Sequence, residues 1–95
     1  MAAYLIARID VTDPDRYEQY KALAPAAIAV YGGRYLVRGG AHETLEGETE
    51  QRRLVVLEFP DLDTARAFYH SPEYTAARAE REGAAIGQFV IVEGA

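Results

Sequence analysis

Residues 52–72 read RRLVVLEFPDLDTARAFYHSP and join the strongest predicted strand of the chain to a short helix. The apolar run Arg52–Phe59 predicts the strand, because β-branched and aromatic residues favour extended backbone. Pro60 cannot donate to a sheet ladder and therefore ends it, while Asp61 is a favoured N-cap for the helix that follows. Ser71, with a proline after it, interrupts this helix and can cap a further helical turn.

The chain on either side of this stretch predicts the remaining elements. YLIARIDV at Tyr4–Val11, RYLVR at Arg34–Arg38 and QFVIVE at Gln88–Glu93 are apolar enough for three more strands. Between the first two of these, apolar residues recur every three or four positions and predict a helix. Pro25 lies inside that helix, so we expect a kink or a break near Leu23–Ala24.

The order strand, helix, strand, strand, helix, strand predicts one α+β domain over residues 1–95. Two βαβ-like halves of similar length are typical of the ferredoxin-like βαββαβ sandwich. Its antiparallel sheet carries both helices on one face, and right-handed crossovers place the first and third strands in the middle. A chain of 95 residues has the length of a single domain.

The sheet face opposite the helices is expected to be apolar. Side chains alternate along a strand, yet Tyr4–Val11 and Arg52–Phe59 carry apolar residues on both faces. An apolar face on so short a chain predicts a partner, and the simplest is a second copy packed sheet to sheet as a homodimer. The alternative is a monomer whose second face is covered by the termini and the loop Ala41–Gln51, which are more polar than that role requires.

Composition excludes several functional classes. The absence of cysteine excludes disulfides, cysteine-bound metals and thiol catalysis. A net charge of −5 argues against binding to a nucleic-acid backbone. No apolar run approaches the ~20 residues of a membrane span, and no secretory pattern opens the chain. We therefore expect a soluble, cytoplasmic protein without nucleic-acid or membrane partners.

Four stretches carry a family resemblance. They are residues 4–40, 45–48, 55–74 and 89–94, which together span nearly the whole chain. The most specific run is EFPDLDTARAFYHSPEY at 58–74, followed by YGGRYLVRGG at 31–40. In these stretches the chain resembles the domain-of-unknown-function 1330 family, in the dimeric α/β-barrel group of ferredoxin-like proteins. The resemblance implies this fold and a sheet-to-sheet dimer. It implies no reaction, although the wider group includes cofactor-independent monooxygenases, haem-degrading enzymes and lactone isomerases.

Two charged residues stand out on otherwise apolar strands, Arg38 and Glu58. Charged side chains are seldom buried without a partner, and antiparallel pairing of their strands allows the two to meet. One interpretation is a catalytic site in which Arg38 holds a substrate carboxylate beside Glu58 as base or orienter. The other is an ion pair that determines packing, and Arg8 and Asp10 invite the same two interpretations.

The two histidines, His42 and His70, lie outside any spacing typical of metal ligands. We therefore predict neither a metal nor a cofactor. Exposed polar positions account for both residues, and His42 is the better candidate for catalysis because glycine-rich strand ends often border pockets.

Seven tyrosines are a high count for this length. An apolar ring with a polar tip suits a pocket between helices and sheet, although plain core packing is the alternative. The ligand that fits such a lining is a small anionic or aromatic metabolite. The predicted substrate-binding residues are Tyr17, Tyr20, Arg38, Phe68 and Tyr69.

Three functions remain open. The first is a dimer that binds, or also transforms, a small molecule, and the second is a non-catalytic binding or assembly module. A monooxygenase-like enzyme is a weaker third, because relatives with that activity use tryptophan and asparagine around the substrate and this chain has neither. A closed, partly polar cavity where Arg38, Glu58 and a tyrosine converge would support the first function, and a solid apolar core would contradict it.

Overall fold

The computed structural model describes all 95 residues as four strands and three helices. In chain order these are β1 (Ala3–Val11), α1 (Pro14–Val30), β2 (Arg34–Arg38), β3 (Arg53–Phe59), α2 (Leu62–Tyr69), α3 (Pro72–Arg81) and β4 (Ala85–Glu93). The strands form one antiparallel sheet in the order β2-β3-β1-β4. The predicted ferredoxin-like arrangement, with β1 and β3 in the middle, is therefore confirmed.

A side-chain cap begins each helix. Asp13, Asp61 and Ser71 each accept a hydrogen bond from the backbone N–H three residues later, which pairs a donor that the first helical turn leaves free. The Ser71 hydroxyl also donates to the carbonyl of Phe68 at 2.6 Å. Ser71 thus separates α2 from α3, as its place before a proline predicted.

Of the kink or break predicted near Leu23–Ala24, the break does not occur, because α1 is a single helix with Pro25 inside it. A proline lacks the N–H that would bond the carbonyl four residues earlier, here that of Lys21. Arg38 of β2 donates from Nη2 to this carbonyl at 3.2 Å. A tertiary hydrogen bond thus replaces the missing helical one, and the helix continues through the proline.

Strand β4 begins three residues earlier than predicted, at Ala85. Ala85 and Ile86 pair with Val11 and Asp10 at the end of β1. Gly87 interrupts the apolar pattern here, which is why the sequence predicts a later start for the strand.

The core lies between the helices and one face of the sheet. Alternate residues of β1, from Ala3 to Ile9, and of β3, from Val55 to Phe59, are buried against the helices. Phe68 of α2 is fully buried among them, with its ring 4.9 Å from that of Phe59 and 4.5 Å from that of Tyr74. This interlayer region contains the candidate site.

The opposite face, called here the open face, stays largely uncovered in the single chain. Its apolar side chains include Val90 and Val92, which are 42% and 44% exposed. The loop between β2 and β3 does not cover them, and Leu45 in that loop is itself 88% exposed. The single chain therefore does not adopt the alternative in which this loop buries the second face.

Candidate functional site

A small cavity lies between the helices and the sheet. Its volume is about 30 Å³, which holds about one or two water molecules. Its walls are mostly apolar side chains of β1, β3 and the helices. The remaining lining is polar or amphipathic: Tyr17, Tyr20, Lys21, Tyr35, Arg38, Arg53 and Tyr74.

Arg53 is one of three charged residues that line this cavity, together with Lys21 and Arg38. It begins β3 opposite Ile9, on the side of the sheet that faces the helices. Its Nε is buried and has no hydrogen-bond partner. Since a buried charged donor without a partner costs free energy, Arg53 offers an unused donor to an anion.

Gly39 makes room for this guanidinium. It has a φ of +69°, and a Cβ built there would overlap the terminal nitrogens of Arg53. A glycine at the end of β2 thus allows the guanidinium to lie against the backbone. The positive charge acts on Tyr17: burial raises the pKa of Tyr17, and the charge and hydrogen bonding of Arg53 partly oppose that rise.

Arg81 of α3 is a second guanidinium without an acidic partner. Its Nε is also buried and unpaired, and its Cζ lies 4.5 Å from the ring centre of Phe89 and 5.5 Å from that of Tyr20. The five ion pairs of the structure involve Arg8, Lys21, Arg34, Arg52 and Arg66. The region between the layers is therefore locally cationic, although the whole chain is acidic.

Burial affects the hydroxyl groups of three site tyrosines, Tyr17, Tyr20 and Tyr35. The hydroxyls of Tyr20 and Tyr74 are 2.6 Å apart and hydrogen-bonded. Burial raises the pKa of Tyr20 well above its usual range, and the hydroxyl of Tyr74 adds to the effect. Burial likewise raises the pKa of Tyr35. These groups can donate or accept hydrogen bonds, but they do not supply a base near neutral pH.

The predicted meeting of Arg38 and Glu58 is wrong. The register pairs Arg38 with Val55 and Arg34 with Glu58, and the Glu58 carboxylate accepts from Nε of Arg34 at 2.7 Å. Glu58 is part of an ion pair, but its partner is Arg34 and not the predicted Arg38. Arg38 lines the cavity, and its Cζ lies 4.5 Å from the ring centre of Tyr35.

Other charged candidates lie away from the cavity. His42 is in the loop after β2, with Nε2 3.1 Å from the carbonyl oxygen of Glu50. Arg8 pairs through Nε with Glu50 at 3.2 Å, while Asp10 is exposed.

No group of three histidine, aspartate or glutamate side chains is placed to hold a metal ion. None of the helices has the length and apolar character needed to cross a membrane.

Four of the five predicted substrate-binding residues line the cavity: Tyr17, Tyr20, Arg38 and Phe68. The fifth, Tyr69, lines a neighbouring groove together with His70.

Sequence reasoning missed Arg53, Tyr35 and Arg81, whereas Tyr74 was among the tyrosines expected near a pocket between helices and sheet. A signal for Arg53 was available, because it alternates with Val55, Leu57 and Phe59 and therefore shares their helix-facing side.

Comparison with solved structures supports the fold. A protein of unknown function from Rhodopseudomonas palustris has a TM-score of 0.74 and 18% identity, with 99% of this chain and 82% of that chain covered. A dimeric ferredoxin-like protein of unknown function from Jannaschia sp. CCS1 has a TM-score of 0.71 and 15% identity, with 99% and 100% covered. SnoaB, a cofactor-independent oxygenase from Streptomyces nogalater, has a TM-score of 0.63 and 16% identity, with 99% and 93% covered.

At these identities the comparison shows a shared fold and nothing more. No curated protein matches the chain. Residues 2–95 match the family described as a domain of unknown function, DUF1330. The chain therefore belongs to the DUF1330 family and has the ferredoxin-like fold.

Proposed function

We propose that the protein is a homodimer that binds a small anionic or aromatic metabolite between its helices and its sheet. One observation carries the proposal: Arg53 has a buried, unpartnered Nε at the wall of a cavity lined by tyrosines. An anion that accepts a hydrogen bond from the free Nε–H would stabilise the positive charge in this position.

The surroundings of Arg53 favour an anion with an aromatic or apolar part. Arg38 lines the same cavity, and no carboxylate of the chain neutralises either guanidinium. Charge-assisted hydrogen bonds to carboxylates are among the strongest in proteins, and arginine can make two of them in parallel. The rings of Tyr17 and Tyr20 add apolar surface beside these donors.

The open face supports the homodimer. Ile6, Val56 and Val90 lie on this face, and Val90 and Val92 are more than two-fifths exposed. Packing two such faces together would bury them as in a two-sheet sandwich. Structural neighbours described as dimeric ferredoxin-like proteins agree with this assembly.

We propose that the protein binds this ligand, and we propose no reaction. The cavity lining contains no histidine and no carboxylate, and burial raises the pKa of Tyr17, Tyr20 and Tyr35. It therefore lacks the imidazole and carboxylate groups that most often act as general bases near neutral pH. The likeness to SnoaB is one of fold at 16% identity and gives no reason to extend oxygenase chemistry to this chain.

A second candidate function is a non-catalytic assembly module. The small cavity volume of about 30 Å³ favours it, since a site of that size admits no metabolite unless neighbouring side chains move.

A thermal-shift screen of small aromatic and aliphatic carboxylates separates the two functions. A ligand at about ten times its Kd stabilises the folded state by about 1.4 kcal/mol, which raises the Tm of a domain this size by roughly 5–10 °C. We expect Arg53→Gln to reduce that rise to about a third, because a tenfold higher Kd leaves a stabilisation of about 0.4 kcal/mol at the same ligand concentration. Arg16→Gln, which changes an exposed arginine of α1, should preserve the full rise.

An equal rise in Arg53→Gln would contradict the proposed site. If no compound of the screen stabilises the natural chain, the assembly module becomes the better account.

A further inference from the structure

We propose that the ligand places its anionic group at Arg53 and extends an apolar body into the groove along β4, with Phe89 determining how large a body fits. The ligand class is then a carboxylic acid with an extended aromatic or aliphatic part. This inference rests on the proposed function and adds to it the second half of the site.

The cavity and the groove along β4 differ greatly in volume. Pockets for small molecules usually measure about 300–1,000 Å³, and the cavity beside Arg53 measures about 30 Å³. The groove on the helix side of β4 measures about 390 Å³. Only the groove has room for most of a ligand, whereas only the cavity offers an unpaired buried donor.

The two spaces share a wall. Leu5 and Phe89 line both of them. Leu5 lies on the central strand β1, is 2% exposed and is held by strands on both sides. Phe89 lies on the edge strand β4 and is only partly buried. Of the two side chains, Phe89 is therefore the one that can move to join the spaces.

Gly87 provides the space that the ring of Phe89 occupies. The ring lies over Gly87, where a Cβ would come within 2.8 Å of it. It also packs between Arg81 and Tyr69, at 4.5 Å and 6.0 Å from its ring centre. Because β4 is an edge strand and Phe89 is only partly buried, rotation of its ring outward, toward solvent, would connect the groove to the cavity.

The chemistry of the groove suits an uncharged body. Its floor and walls include Leu5, Phe89 and Ile91, with Tyr69 as a further aromatic surface. The cation at its rim, Arg66, already pairs with Asp63 at 2.8 Å. An anionic group gains more binding free energy at Arg53, through charge-assisted hydrogen bonds. An aromatic ring gains more in the groove, because its apolar surface is buried there.

Two carboxylates of different length test the inference: benzoate and biphenyl-4-carboxylate, with biphenyl-4-methanol as the uncharged control. We expect the biphenyl acid to bind the natural chain about tenfold or more tightly than benzoate by calorimetry, because its second ring is buried. Arg53→Gln should weaken both acids about tenfold and leave the alcohol unchanged. Ile91→Trp, which fills the groove, should remove the advantage of the longer acid and preserve benzoate binding.

Phe89→Ala should increase the preference for the longer acid, and its crystal structure should contain one continuous channel from the groove to Arg53. A collapsed structure without that channel would count against the role of Phe89. Binding that depends on Arg53 but is equal for both acids in every groove variant would overturn this inference and leave the proposed function standing. If neither acid binds the natural chain or Phe89→Ala, both fail.

Discussion

Arg38 donates a hydrogen bond of 3.2 Å to the carbonyl of Lys21, the helical acceptor that Pro25 leaves without a donor. This contact joins α1 to β2 at the rim of the interlayer cavity, which both Lys21 and Arg38 line. The proline thus frees a backbone acceptor, and the acceptor fixes the position of a cationic side chain beside the candidate site.

Pro25→Ala should weaken this link, because it restores an N–H that competes for the Lys21 carbonyl. We therefore expect Arg38→Ala to destabilise the natural chain by about 1 kcal/mol more than it destabilises Pro25→Ala. A double-mutant cycle measured by urea unfolding gives this coupling. Fully additive effects would show that Arg38 does not replace the missing donor.

Gly39→Ala should displace Arg53, since a Cβ at that position would overlap its guanidinium. Two other glycines are matched controls: Gly47 has a φ of +89° but no neighbour within 4 Å, and Gly40 has neither constraint. We expect the loss of unfolding free energy to be largest for Gly39→Ala. It should be about 1 kcal/mol for Gly47→Ala and near zero for Gly40→Ala.

Gly39→Ala should also weaken carboxylate binding by as much as Arg53→Gln does. Equal stability losses at Gly39 and Gly47, with unchanged binding, would contradict the proposed contact.

Buried tyrosines should make the fold sensitive to alkaline pH. Burial raises the pKa of Tyr17, Tyr20 and Tyr35 above the usual value, which is about 10 in an unfolded chain. Above that pH the unfolded chain loses phenolic protons that the folded chain keeps. The free energy of unfolding is therefore undiminished below about pH 10 and falls as the pH rises further, by up to about 1.4 kcal/mol per pH unit for Tyr20.

Urea unfolding at pH 9, 10 and 11 measures this slope in the natural chain and in Tyr20→Phe. The variant loses the hydrogen bond to Tyr74 at every pH, but its slope above pH 10 should be shallower. Identical slopes would mean that Tyr20 is not protected from ionisation.

Val90→Lys should convert the proposed dimer into a monomer. Val90 is 42% exposed on the open face of the single chain, so a lysine there can reach water in the monomer but not in a sheet-to-sheet dimer. Light scattering with size exclusion should give about 21 kDa for the natural chain, twice its mass of 10.5 kDa, and the mass of one chain for the variant. A natural chain that elutes as a monomer at micromolar concentration would contradict the dimer.

The fold could be predicted from the sequence because its signals are local. The strand at Arg53–Phe59, its stop at Pro60 and the caps Asp61 and Ser71 depend on residues adjacent in the chain. The start of β4 was predicted too late because its pairing with β1 compensates for Gly87. The uninterrupted α1 could not be predicted, since the donor that replaces the N–H of Pro25 comes from another strand.

The candidate site was less accessible to sequence reasoning. Arg38 misses Glu58 because the antiparallel register places Arg34, four residues earlier in β2, opposite Glu58. Composition and alternation do not determine which residues of two neighbouring strands lie opposite each other. Arg53 lay on the predicted inner face. Whether it forms an ion pair, however, depends on how far each carboxylate of the folded chain lies from its guanidinium. Tertiary geometry therefore determines which arginine is free to bind an anion.

A ¹H–¹⁵N NMR titration of the labelled protein with biphenyl-4-carboxylate tests the central claim most directly. We expect saturable shifts at the backbone amides of Tyr17, Gly39, Arg53 and Gly87, and a Kd from these shifts that is about tenfold higher in Arg53→Gln. Shifts that are confined to the open face, or that persist unchanged in Arg53→Gln, would contradict a binding site between the helices and the sheet.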